Sequence, residues 1–264
     1  MLRTDWGKFI KRIDTNISII LVVVSLFSGA MNQLAFFSKA QTVETAFYFY
    51  DSSLFSGITN YIMPVLAAVP ISGFLSEELE KGYYNLVIMR TMKIKYVVSK
   101  VVVTILSGMY IMTVGSVLFY FILNIMGYPV MQDANSTLYG LYGETIYYAL
   151  AEQGKGILAA ALHMFNYVLT TIPWTMTVLA VCLYIRNKYL LMVIPVLVDK
   201  VLILIGYSDS RFSNINPSVW NTMTSAKVFE PMGGLFYVLK VMGIIVCIGV
   251  ALFLVGMRRK FKNG

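Results

Sequence analysis

The chain has 264 residues, 58% of them hydrophobic and 13% charged, and carries a net charge of +8. Soluble domains are roughly 45–50% apolar, so folding in water would leave broad apolar faces bare, and the bilayer is the expected solvent. The positive balance comes without any RNA- or DNA-binding module, which argues against nucleic acid and fits the Lys/Arg excess of membrane proteins beside anionic lipid.

The first sixteen residues, "MLRTDWGKFIKRIDTN", place Leu2, Trp6, Phe9, Ile10, Ile13 and then Ile17 at helical spacing, with Lys8, Lys11 and Arg12 off that stripe. The pattern predicts an amphipathic helix lying in the membrane plane, its tryptophan at the interface and its basic residues toward headgroups. An ordinary basic flank would account for the charges but not for the continuous stripe. The run from Ile17 to Phe37 exceeds the roughly 7–15 residues of a signal-peptide core. No A-x-A site follows it, so it reads as a retained span.

Six segments are apolar and long enough to cross roughly 30 Å of hydrocarbon at about 1.5 Å per residue. They lie near 17–37, 57–76, 101–124, 157–185, 189–207 and 236–257. The fourth is over-long and holds Pro173, which predicts a kink or tilt. Segments 1–16, 77–100, 186–188 and 258–264 hold 4, 5, 2 and 4 Lys or Arg, whereas the alternate loops 38–56, 125–156 and 208–235 hold 1, 1 and 2. The positive-inside rule therefore places both termini and the 77–100 loop in the cytoplasm. The outer loops are rich in Gly, Asn, Ser and Tyr and too short for a separate domain; short helices packed on the outer face are expected there. The sequon Asn135-Ser136-Thr137 matters only where the cell glycosylates.

The fifth span carries "VLVDKVLIL", with Asp199 and Lys200 in its middle. Counted from Tyr189, residue 199 lies about 15 Å along the helix, where a lipid-facing charge costs at least about 2.5–3.5 kcal/mol. Neighbouring residues point about 100° apart on a helix, so each of the two is expected to need its own partner or a wet cavity. Three readings stay open. The pair lines a translocation path, it locks helices together, or it marks a span that ends early and folds back, with Pro195 just before it.

Catalytic chemistry is hard to find. The "GKG" at 154–156 lacks the rest of a phosphate loop. The "EEL" at 77–79 resembles the start of an intramembrane glutamate-protease motif, but Gly82 stands where that motif has arginine. His163, the single histidine, is expected to be a polar contact within the helix bundle, since metal sites need several ligands. Cys182 and Cys247 lie in apolar runs and read as small buried hydrophobes. No nucleophile–base pair can be assigned, so the chain is expected to be no enzyme and to hold no cofactor of its own.

Residues 76–100, "SEELEKGYYNLVIMRTMKIKYVVSK", break the apolar pattern with three acids, a glycine and then scattered bases. In this setting the chain resembles the permease subunits of type-two ATP-binding-cassette exporters: an in-plane N-terminal helix, six spans with both ends inside, and a charged loop between spans two and three. Such permeases often show acids and a glycine after the second span, then an apolar patch, a basic residue and a lysine entering the third. Here these are Glu77, Glu78 and Gly82, then Leu86, Val87 and Ile88, then Arg90 and Lys93, then Lys100. Tyr83 departs from the threonine or serine common after the glycine, and Lys93 from the frequent arginine.

The resemblance implies an all-α permease domain over 1–264, with a coupling helix in 77–100 that docks on a separate cytosolic ATPase subunit. Glu77, Glu78, Gly82, Tyr83, Leu86, Val87 and Arg90 would form that contact, and ATP and magnesium would be bound by the ATPase. Acids near a helix start and bases near its end suit the helix dipole, and Tyr83, Leu86 and Val87 offer an apolar anchor. A second permease, identical or not, would complete the path in a bacterial plasma membrane. The resemblance implies export of an antimicrobial peptide, drug or lipid, with modest outer loops favouring a hydrophobic or peptide-like substrate over a lipid-linked glycan. The rival reading is a non-transporting membrane sensor or assembly scaffold, which leaves the charged loop without a task.

Overall fold

The computed structural model describes residues 2–40, 44–55, 57–80, 93–131, 146–185, 187–208 and 233–262. These form the helices α1 (Leu2–Ile10), α2 (Ile13–Ala40), α3 (Ala46–Phe55), α4 (Gly57–Glu80), α5 (Lys93–Ile125), α6 (Ile146–Glu152), α7 (Gly156–Leu169), α8 (Thr171–Val181), α9 (Lys188–Ser208) and α10 (Gly233–Lys262), and no strand occurs among the described residues. Among the described residues six stretches are long and apolar enough to cross a membrane: Ile13–Phe37, Thr59–Glu80, Ile94–Ile125, Gly156–Val181, Lys188–Ser208 and Leu239–Arg259. They coincide with the six predicted spans. The protein is an all-helical, multi-pass membrane protein, the solution that satisfies every backbone polar group inside lipid.

The fourth span is interrupted for one residue, Thr170, whose backbone stays in the right-handed helical region. Pro173 sits in the first turn of α8, where its missing N–H would have had no intrahelical partner. Its ring would crowd the carbonyl four residues back, that of Leu169, which is where α7 ends. The hydroxyls at the break turn inward on the chain: Thr170 Oγ1 donates to Tyr167 O at 2.6 Å and Thr171 Oγ1 to Val168 O at 2.7 Å. In the fifth span, by contrast, α9 continues through Pro195 and Asp199. The expectation of an early end with a fold-back is corrected: a proline removes one ladder bond, and the apolar flanks on both sides hold the helix in register.

Spans two and four form the centre. In their apolar stretches 67% and 61% of residues are buried, against 22% in α9 and in α10. The α8 helix packs on α4, α5, α9 and α10, while α2 packs on α3, α4 and α5. Glycines set the closest approaches. A Cβ on Gly115 of α5 would lie 2.5 Å from Val22 Cγ1 of α2, and one on Gly108 would lie 2.7 Å from Thr175 Cγ2 of α8. Small residues at such crossings allow the backbone proximity that drives helix association where water is absent.

Short helices also stand in the loops, as expected of the outer loops. α3 is tied to the loop after α5, with Ala46 N–H donating to Pro129 O at 2.8 Å and Phe47 N–H to Val130 O at 3.0 Å. α6 packs on α7. Of the third loop expected outside, 208–235, residues 209–232 lie outside the described residues.

Candidate functional site

At the end of the bundle where α4 stops and α5 starts, two ion clusters join three separate stretches of chain. Lys100, in the second turn of α5 and 1% exposed, places Nζ 3.2 Å from Asp5 Oδ2 of α1 and 2.5 Å from Glu78 Oε2 of α4. The ammonium also lies 4.6 Å from the Phe74 ring centroid and 5.3 Å from that of Tyr96. Ser99 Oγ donates to the same Asp5 oxygen at 2.8 Å. A buried charge is tolerable only when so paired.

The second cluster centres on Arg12, at the break between α1 and α2. Its Nη2 lies 2.7 Å from Glu77 Oε1 and 2.8 Å from Asp14 Oδ2, and Nη1 reaches Glu77 Oε2 at 3.2 Å. Burial opposes the guanidinium charge, but hydrogen bonds and attraction from Glu77 and Asp14 outweigh it and raise its pKa. The bidentate fork fixes the angle at which the chain enters the first span. Between the clusters is a cleft of about 530 Å³ bounded by Asp5, Lys8, Lys11, Arg12, Phe74, Glu77 and Glu78.

In the structure the predicted α1 stripe keeps Trp6, Phe9 and Ile10 against the core and gains Asp5 beside them. Asp5 and Phe9 face inward, and Trp6 stacks on Phe9 and meets Tyr110 of α5 edge-on, with centroids 5.6 Å apart. Leu2, Ile13 and Ile17 are exposed. Helical spacing alone could not see that Lys100 would draw Asp5 to the inner face. Glu77 and Glu78 find intramolecular partners here, an account of these acids that the sequence did not suggest. Gly82, Tyr83, Leu86, Val87 and Arg90 lie outside the described residues, so this geometry is the frame on either side of them.

In the fifth span, Lys200 Nζ lies 3.1 Å from Asp199 Oδ2. The expectation that neighbours 100° apart cannot pair is therefore corrected: the flexible lysine stem spans the angle, as snorkelling side chains do. Trp174 of α8 donates its Nε1–H to Asp199 Oδ1 at 3.3 Å, and the Lys200 ammonium sits 4.2 Å from the Tyr61 ring centroid of α4. Spans two, four and five thus meet at one charge pair.

A third polar cluster joins α3 and α7. His163 Nε2 lies 3.1 Å from Asp51 Oδ1, with both side chains largely buried. Phe47, Tyr147 and Tyr50 surround the imidazole at centroid distances of 4.9, 5.1 and 5.8 Å. Burial, with the Asp51 charge adding to it, pushes the phenols of Tyr50 and Tyr147 upward, so both stay neutral. The expected polar contact for His163 is present; its partner Asp51 had no sequence signal beyond being an acid in an aromatic run, "FYFYD". Among the described residues no three metal-ligating side chains converge.

Comparison of the chain with family models, with curated proteins and with solved structures found no match in any of the three.

Proposed function

We propose that this protein is the membrane-spanning permease subunit of a type-two ATP-binding-cassette exporter, in a bacterial plasma membrane with both termini cytoplasmic. The observation that carries the reading is the pair of ion clusters that tie α1, the end of α4 and the start of α5 together around segment 81–92. A coupling helix transmits force only if its two flanks move as a unit, and a buried Asp5–Lys100–Glu78 cluster with an Arg12–Glu77 fork supplies that rigidity. Closure of a separate ATPase on ATP and magnesium would push the segment, and spans two and three would tip with α1 between inward and outward states. Glu77 and Glu78 then act by bracing the coupling helix, while Gly82, Tyr83, Leu86, Val87 and Arg90 meet the ATPase. The Asp199–Lys200 pair borders the path, which a second permease completes, and the cargo is hydrophobic or peptide-like.

Two experiments test this. Single cysteines at Ser136 and Asn216 are expected to react with an impermeant maleimide from outside, and one at Asn85 only after the membrane is opened; outside labelling at Asn85 overturns the orientation. The double variant Leu86→Asp/Val87→Asp is expected to lose a co-purifying, roughly equimolar ATPase while inserting normally, because an unpaired buried carboxylate costs several kcal/mol, on the order of a whole interface hot spot. An unchanged ATPase yield would refute the coupling assignment and leave a scaffold or sensor.

A further inference from the structure

The short helix α3 is tied to its neighbours by contacts of two kinds. Neutral bonds join it to α5 and the loop beyond: Ala46 and Phe47 donate to Pro129 O and Val130 O, and the Tyr50 hydroxyl meets Ser116 Oγ at 2.9 Å. The tie to α7 can change charge. His163 Nε2 faces Asp51 Oδ1 at 3.1 Å, and an imidazole ordinarily gains or loses its proton between about pH 5 and 8. Among the described residues no other cation pairs with Asp51. The remaining titratable groups around the imidazole are phenols, whose ordinary titration lies well above that range. They are Tyr50 of α3, Tyr147 of α6 and, beyond Tyr50, Tyr120 of α5 and Tyr167 of α7 itself. α8 has no ionisable side chain, Lys240 of α10 is exposed, and Glu44, just before α3, acts on Tyr48. Protons have a way in, since 12% of the Asp51 side chain reaches the surface against 2% of His163.

We propose that the His163–Asp51 pair is an acid-tightened latch: with the imidazole protonated it is a buried ion pair that holds α3 on α7, and with that proton lost the Asp51 charge is uncompensated and α3 loosens. A neutral imidazole can still donate one hydrogen bond, so the latch slackens rather than opening outright. The buried carboxylate then recovers solvation only by moving toward water, and α3 is the element that carries it. The sign follows from the charges. The imidazolium form stabilises the closed latch, so the hold is present at low pH and is lost as pH rises through the imidazole's titration. The corner has a small core of its own, Phe47, Tyr147, Ala159 and Ala160, so α3, α6 and α7 are expected to respond together. The latch stands without the transport reading, which supplies only the assignment of this corner to the outer face.

The test uses the full chain in nanodiscs, purified through a tag that contains no histidine. His163 is the single histidine, so in protein with carbon-labelled histidine its ring NMR signal reports the proton directly. Between about pH 5.5 and about pH 8.5 that signal is expected to shift. Over the same interval the protection factors of the Ala46 and Phe47 amides, corrected for intrinsic exchange, are expected to fall about tenfold, with amides in the centre of α4 unchanged. His163→Gln keeps a donor but cannot titrate, and is expected to flatten the dependence. Asp51→Asn is expected to reverse it, since acid then adds a buried charge without a partner. Equal protection at both pH values in wild type, an imidazole signal that does not move, or undiminished dependence in folded His163→Gln overturns the proposal. The wild-type measurements decide the matter even if a variant fails to fold. Because neither ATPase nor cargo is present, the latch is tested apart from the transport reading, and the labelling at Ser136 and Asn216 tests the orientation separately.

Discussion

Lys100→Met is expected to destabilise the folded protein by about 3–5 kcal/mol, the range for breaking a buried ion pair from one side. The substitution keeps the length of the stem and its contact with Phe74 and Tyr96, so packing loss is small. It leaves two carboxylates, Asp5 and Glu78, in an environment where the ammonium was 1% exposed. Ser99 still donates to Asp5, but one neutral hydroxyl cannot replace a charge. The measurement is thermal or denaturant unfolding of the purified protein in detergent. The triple variant Lys100→Met/Asp5→Asn/Glu78→Gln, which removes all three charges, is expected to recover most of the loss. If Lys100→Met unfolds like wild type, the cluster is not a brace. Full loss in the triple variant would mean that the lysine acts through packing. The same comparison bears on coupling: restored stability without restored transport-linked ATP hydrolysis would show that the charges serve motion as well as folding.

Much of the fold was legible because hydrocarbon imposes a single strong constraint. A segment that must span it needs about twenty apolar residues with every backbone group satisfied, and six such runs stood out. The irregularity at Pro173 was legible as a kink or tilt, since a proline's steric conflict with the carbonyl four residues back is local. What escaped was long-range. Asp5 and Lys100 are 95 positions apart, and Arg12 and Glu77 are 65 apart. Nothing in the spacing of either acid names its base, so Asp5 was not read as a member of the inward face of α1. Asp199 and Lys200 failed differently: their Cα directions were assessed, but the reach of four methylenes was not. In the 77–100 loop the flanking acids found partners inside the chain, whereas the apolar patch at Leu86 and Val87 rests on the family resemblance alone.

His163→Phe is expected to cost about as much as the loss of Lys100, about 3–5 kcal/mol, for a different structural consequence. The ring of Phe fills the imidazole's place among Phe47, Tyr50 and Tyr147, so cavity formation is avoided. The charge of Asp51 is then stranded at 8% exposure, 3.1 Å from where the imidazole nitrogen had been. Tyr50 cannot take up the role readily, since its hydroxyl already meets Ser116 Oγ at 2.9 Å. The cheapest response is to let α3 swing Asp51 toward water, which would pull on the bonds from Ala46 and Phe47 to the loop after α5. Hydrogen exchange at those two amides is therefore expected to quicken more than exchange in the centre of α4. Asp51→Leu with His163→Phe removes both polar partners together, and replacing a buried pair by apolar groups is often close to neutral. The double variant should then approach wild-type stability, with slow exchange at Ala46 and Phe47. Equal destabilisation in the single and double variants would show that the loss comes from replacing the imidazole itself and not from a stranded Asp51 charge.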